Sequence, residues 1–140
     1  MPPSQTTLKK GSEINVTIDS LAFGGKGVSR YNNIVVFVKN GIPGQELKVL
    51  VIKKSKNYFE AKILEIISES KYYKEPSCEH FKYCGGCSFQ NLDYNIQLEQ
   101  KFNQVKDVFN RIANLQNFTM NPIEPCNNNY KYRNKMEFTF

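Results

Sequence analysis

From Glu13 to Ile67 the chain is a series of short apolar-rich runs, most alternating at every second position, and glycine, proline or paired asparagines cut the series. A period of two sends alternate side chains to opposite faces, so such a run folds as a strand with one face buried. Ile14, Val16 and Ile18 point one way, and Asn15, Thr17 and Asp19 the other. Phe23-Gly24-Gly25-Lys26-Gly27 then interrupts, and glycines so dense imply tight backbone geometry. A second strand near Val28 to Tyr31 is expected to turn at Asn32-Asn33 into Ile34 to Val38, a continuous apolar run that suits a central strand. Gly41-Ile42-Pro43-Gly44 is a turn. Glu46 to Lys53 alternates through Leu47, Val49 and Val51, and Tyr58 to Ile67 completes the set.

Five strands in so short a segment predict a small barrel of the oligonucleotide-binding sort, with a single five-stranded sheet as the alternative. The barrel is preferred because closure removes exposed edges. Ile14, Val16, Ile18, Val36, Val49 and Ile63 are expected in its core. The fold class is therefore mainly β with one helix. Residues 1–9 are expected to be a disordered tail, 10–68 the barrel, 69–92 a cysteine motif, and 93–140 a helix followed by the start of a further β region.

That helix is signalled by Tyr94, Leu98, Phe102, Val105, Phe109 and Ile112 at steps of three and four, with Asp93 as its N-cap. Leu98, Phe102, Val105 and Phe109 are expected to be its packing face, and Gln97, Gln100, Lys101, Gln104 and Asn110 its other face. The remainder, from Asn117 to Asn129, reads as loop, and Tyr130 to Phe140 as an aromatic and basic strand.

Cys78, Cys84 and Cys87 stand at C-x5-C-x2-C, with Gly85-Gly86 between the last two, while Cys126 is remote. Thiolates in this number select zinc or iron, and flanking glycines let backbone N–H groups reach the sulfurs. A zinc site would draw its fourth ligand from His80 or Cys126; a four-iron cluster would need a fourth cysteine. Spacing alone leaves zinc slightly ahead, because structural zinc is the commoner outcome.

A formal net charge of +6 and a pI of about 9.1 are compatible with a polyanionic partner, and 10 Phe and 8 Tyr offer stacking surfaces for bases. Lys26, Arg30, Lys53, Lys54 and Lys56, with Arg133 and Lys135, are the candidate RNA contacts. No run of about eighteen apolar residues occurs, so no membrane partner is expected. The opening residues lack the apolar stretch of a secretory signal, and the expected location is cytoplasmic.

Cys78-Glu79-His80-Phe81 followed by Cys84-Gly85-Gly86-Cys87-Ser88-Phe89-Gln90 resembles the iron–sulfur signature of the RNA (uracil-5-)-methyltransferase family. Ser20-Leu21-Ala22-Phe23-Gly24-Gly25-Lys26-Gly27-Val28-Ser29-Arg30, Val36-Phe37-Val38 and Gly41-Ile42-Pro43-Gly44-Gln45 resemble the TRAM domain, a small RNA-binding barrel with which that family commonly begins. Tyr132-Arg133-Asn134-Lys135 resembles the start of its central β region. The resemblance implies a 4Fe-4S cluster on Cys78, Cys84 and Cys87, whose fourth cysteine lies outside this chain, since Cys126 precedes the Tyr-Arg segment and does not match. It implies rRNA or tRNA as partner and S-adenosylmethionine as methyl donor in a full-length enzyme. No glycine-rich donor segment and no catalytic cysteine motif is found, so no catalytic residue is assigned. The expectation is the monomeric, RNA-binding N-terminal portion of a uracil-C5 methyltransferase. A free-standing RNA-binding module and a zinc-binding interaction protein are the alternatives.

Overall fold

The computed structural model describes residues 8–132. Its strands are β1 (Glu13–Thr17), β2 (Ser20–Leu21), β3 (Gly27–Tyr31), β4 (Ile34–Val38), β5 (Glu46–Lys54) and β6 (Tyr58–Ser68), followed by the helix α1 (Tyr94–Arg111). They form one sheet in the order β1-β5-β6-β4-β3-β2, antiparallel except where β4 and β6 run parallel.

The two ends of that sheet are one stretch of chain. β1 pairs with β5, β2 pairs with β3, and only Ile18 and Asp19 separate them. The Ile18 N–H donates to the Gln45 carbonyl at 2.9 Å and the Asp19 N–H to the Val28 carbonyl at 2.8 Å. The first strand thus bends at these residues and exchanges one partner for the other, which closes the sheet on itself. Five expected strands become six because of this bend, and the barrel closes because one stretch of chain pairs with both ends of the sheet.

Alternation places the core. Ile14, Val16 and Ile18 of the first strand meet Val36 and Val38, Leu47, Val49 and Val51, and Phe59 and Ala61, all buried. Ile63 packs partly buried against them. Leu8 is also part of this core, so the ordered barrel reaches further toward the N-terminus than the tail expected over residues 1–9 allows. Asn32 and Asn33 both adopt left-handed backbone, φ 48° and 66°, which matches the twist of the β3–β4 hairpin they connect.

A second apolar cluster lies at one end of the barrel, where Leu21, Ile42 and Leu92 are joined by Tyr72, Phe89 and Ile96. Gln45, only 2% exposed, ties it to the linker. Its Oε1 accepts from the Ile42 N–H at 2.9 Å and its Nε2 donates to Glu69 at 2.7 Å. Ser70 Oγ donates to the Pro43 carbonyl at 2.6 Å, so the Gly-Ile-Pro-Gly turn is bonded to the segment that leads into the cysteine motif.

The helix begins where the sequence places it, with the Asp93 carboxylate accepting the Asn95 N–H at 2.9 Å. Its docking face does not follow the expectation. Gln100 Oε1 accepts from the Leu21 N–H at 3.2 Å, and Gln104 Nε2 donates to the Leu21 carbonyl at 2.7 Å. Gln97 Nε2 donates to the carbonyls of Phe89 and Leu92 at 3.0 and 2.9 Å. These glutamines lie three and four residues apart on one side of the helix, and they cap the free edge of β2 as another strand would. Leu98, Phe102, Val105 and Phe109 are not buried against the barrel; Leu98 and Phe102 are half-buried, and Val105 and Phe109 are exposed. The chain beyond Asn114 returns along this apolar side. Phe118 meets Phe109 with ring centroids 5.1 Å apart, Met120, Pro122 and Ile123 border Leu98 and Phe102, and the Cys126 N–H donates to the Tyr94 hydroxyl at 2.8 Å.

Candidate nucleic-acid interface and cysteine motif

Five of the candidate RNA contacts lie on β3, on β5 or in the loops beside them. Arg30 is exposed on β3, pointing outward because its neighbour Ser29 points into the core. Lys53 and Lys54 end β5, and Lys56 sits in the hairpin that leads to β6. Lys26 precedes β3 and reaches the same region through an acidic residue that sequence reading passed over. Glu60 on β6 bonds Lys26 Nζ at 2.9 Å and lies 3.5 Å from Lys53 Nζ. The bond to Lys26, opposed by partial desolvation and aided by both lysine charges, holds the Glu60 carboxyl below the ordinary glutamate range. Strand register was the signal that could have found it, because Glu60 stands opposite Lys53. Lys54 lies over the Phe59 ring, 5.9 Å from its centroid. Arg133 and Lys135 lie outside the described residues.

The cysteine motif is a loop with a closed neck. Tyr73 bridges Leu92, the Lys74 N–H donates to the Asn91 carbonyl at 3.1 Å, and the Asp93 N–H to the Tyr72 carbonyl at 3.1 Å. Within the loop Gln90 Oε1 accepts the Cys78 N–H at 3.2 Å, and the Cys84 N–H donates to the His80 carbonyl at 2.8 Å. Cys78 is half-buried, and Cys84 and Cys87 are exposed. Cys126 Sγ donates to the Asn128 carbonyl, and His80 is exposed, 3.5 Å from Glu79.

The donor chemistry suits an iron–sulfur cluster in part. Cys84 Sγ already accepts the Gly86 N–H at 3.3 Å, the kind of bond that stabilises a cluster thiolate. The geometry does not complete a site: among the described residues no group of three or more His, Cys, Asp or Glu side chains is placed to hold a metal ion.

Barrel and loop approach most closely at a glycine. Gly25 has φ +90°, and a Cβ there would lie 2.8 Å from Ser88 Cβ and 3.2 Å from the Phe89 ring. Left-handed backbone and absence of a side chain are both required where the Gly24-Gly25 turn meets the residues that follow Cys87.

Residues 7–64 match the TRAM domain family. The chain carries a TRAM domain. Over nearly its whole length it also matches the N-terminal portion of proteins named as RNA methyltransferases. It is 38% identical over 133 residues to an uncharacterized RNA methyltransferase of Clostridium tetani, covering 95% of this chain and 29% of that protein. With an uncharacterized RNA methyltransferase of Nitratidesulfovibrio vulgaris it shares 40% identity over 134 residues, covering 96% of this chain and 29% of the relative. Among solved structures, a conserved Methanococcus maripaludis protein determined in solution is 29% identical with a TM-score of 0.40, covering 45% of this chain and 93% of that one. The chain therefore spans less than a third of the length of the curated relatives it matches. Among the described residues no helix is long and apolar enough to cross a membrane.

Proposed function

We propose that this chain is the RNA-binding N-terminal portion of an S-adenosylmethionine-dependent RNA methyltransferase that acts on uracil C5 of rRNA or tRNA, working in the cytoplasm as a monomer. The observation that carries the reading is the direct seating of a TRAM barrel on a C-x5-C-x2-C loop through Gly25, Ser88 and Phe89, in a chain matching the N-terminal portion of RNA methyltransferases. The barrel supplies phosphate contacts from Lys26, Arg30, Lys53, Lys54 and Lys56. Cys78, Cys84 and Cys87 would contribute three thiolates to a four-iron cluster, whose fourth ligand comes from outside this chain. The cluster would act structurally, fixing the loop against the barrel. Methyl transfer requires a donor pocket and an attacking thiolate that adds to C6 of uracil.

The test uses the 140-residue chain, purified without oxygen. It should bind RNA with an affinity that falls steeply with added salt, because each neutralised phosphate releases counterions. It should transfer no methyl group from labelled S-adenosylmethionine to uridine. Iron and sulfide in the purified protein support the cluster; zinc alone replaces it with a zinc site. Salt-independent RNA binding would refute the phosphate contacts, and methyl incorporation would refute the division of labour.

A further inference from the structure

The outward face of β3, β4 and β6 carries an aromatic pair that the core does not use. Phe37 and Tyr58 meet edge to face, with ring centroids 5.3 Å apart and planes at 71°. β4 and β6 place Val35 opposite Tyr58 and Phe37 opposite Glu60, while β3 and β4 place Arg30 opposite Val35 and Val28 opposite Phe37. The intervening row of Ser29, Val36 and Phe59 points inward and is buried. One outward row is therefore Arg30, Val35 and Tyr58, and the next is Val28, Phe37 and Glu60.

Both rings are half-buried by their neighbours, so they are held in place, and each keeps part of its surface in water. The helix and the linker pack against Leu21 and Ile42, not against this face. Apolar surface alone would suit many partners; the surrounding cations select one. Arg30 shares the row of Tyr58, Glu60 fixes Lys26 and Lys53 beside Phe37, and Lys54 and Lys56 lie on the hairpin that leads into Tyr58. Flat apolar faces bordered by positive charge complement a strand whose bases are unstacked and whose phosphates run alongside. A duplex hides its base faces and could use only the charges.

We propose that Phe37 and Tyr58 form a stacking platform for unpaired RNA bases, with Arg30 and the β5–β6 hairpin holding the flanking phosphates. This rests on the RNA-binding reading above and adds to it the class of RNA recognised, single strand over duplex, and the residues that make the choice.

Fluorescence anisotropy with a short labelled oligouridine, set beside an RNA duplex of equal length, tests it on the 140-residue chain. The parent should prefer the single strand. Phe37→Leu together with Tyr58→Leu keeps the apolar bulk but removes both rings, and should weaken oligouridine binding about tenfold or more while leaving the salt slope unchanged. Tyr58→Phe retains the ring and should bind as the parent does, which separates stacking from any loss of fold in the leucine variants. Parent-like binding by the leucine variant, or equal binding of duplex and single strand by the parent, overturns the platform and leaves the RNA-binding reading intact. If the parent binds neither RNA, the reading beneath it falls as well.

Discussion

Replacing Gln100 and Gln104 together by alanine isolates the bonds that hold the helix to the barrel. Leu21 is 4% exposed, and its N–H and carbonyl are bonded by these two side chains at 3.2 and 2.7 Å. A neutral hydrogen bond contributes about 1 kcal/mol net, so the pair is worth about 2 kcal/mol, weighted toward the shorter Gln104 bond. Alanine is a slightly better helix former than glutamine and offsets a few tenths of that. With a urea slope of about 2 kcal/mol per molar, the unfolding midpoint should drop by about 1 M. Hydrogen exchange gives a local check, since the Leu21 amide should lose protection in Gln100→Ala alone. On the apolar stripe of the helix, Val105 is 39% exposed, and Val105→Ala should cost less than about 0.5 kcal/mol. An unchanged midpoint and unchanged Leu21 exchange in the glutamine variant, with a larger loss in Val105→Ala, would show that the apolar stripe carries the docking.

Gly25→Ala should destabilise the chain by about 1–2 kcal/mol from left-handed backbone alone, and more if Ser88 cannot retreat from the 2.8 Å approach; thermal unfolding reads it, and a neutral result would mean that the turn relaxes. Gln45→Ala takes from the Ile42 N–H its acceptor and from Glu69 one of its two donors, a loss of about 1–3 kcal/mol by urea unfolding; parent-like stability would show that water replaces the side chain. Glu60→Gln removes the charge that holds Lys26 and Lys53, so RNA affinity should rise and the salt slope steepen; weaker binding would mean that Glu60 positions those lysines for phosphate. Because the folded Glu60 pKa is lowered, its stabilising pair is fully present above the ordinary glutamate pKa and is lost as pH falls through the lower folded value. Glu60→Gln should therefore flatten a stability–pH curve between those two values, and an unchanged curve would place the acid sensitivity elsewhere.

The barrel was legible because burial on one face imposes a period of two, and Ile14, Val16 and Ile18 obey it without interruption. The bend at Ile18-Asp19 was not legible for the same reason. Alternation continues straight through it, and only the partner changes, from β5 to β3. Local pattern reports which face of a strand is buried but not which strand arrives beside it. Leu8 shows the related difficulty of a single apolar residue: with polar neighbours and no period, nothing in its surroundings marks it as core.

The helix carries the same distinction into the candidate site. Its apolar stripe is expected to be a buried packing face, and none of Leu98, Phe102, Val105 and Phe109 is fully buried, because amphipathicity names a preference for burial without naming a partner. The barrel offers the helix an edge strand with free N–H and carbonyl groups at Leu21, and such an edge is better met by amides than by leucines. Glutamine is neutral, long enough to reach, and both donor and acceptor, so Gln97, Gln100 and Gln104 fill the place of a missing strand. The stripe is then left to the returning residues from Phe118 to Ile123, which cover it only in part. Lysines and glutamate follow the same rule on the other side of the barrel. The positive charges were visible one by one, whereas the carboxylate that gathers two of them became visible only when register set Glu60 opposite Lys53. Recognition surfaces on a closed barrel are built across strands, so the residues that compose them are far apart in sequence and meet only through pairing.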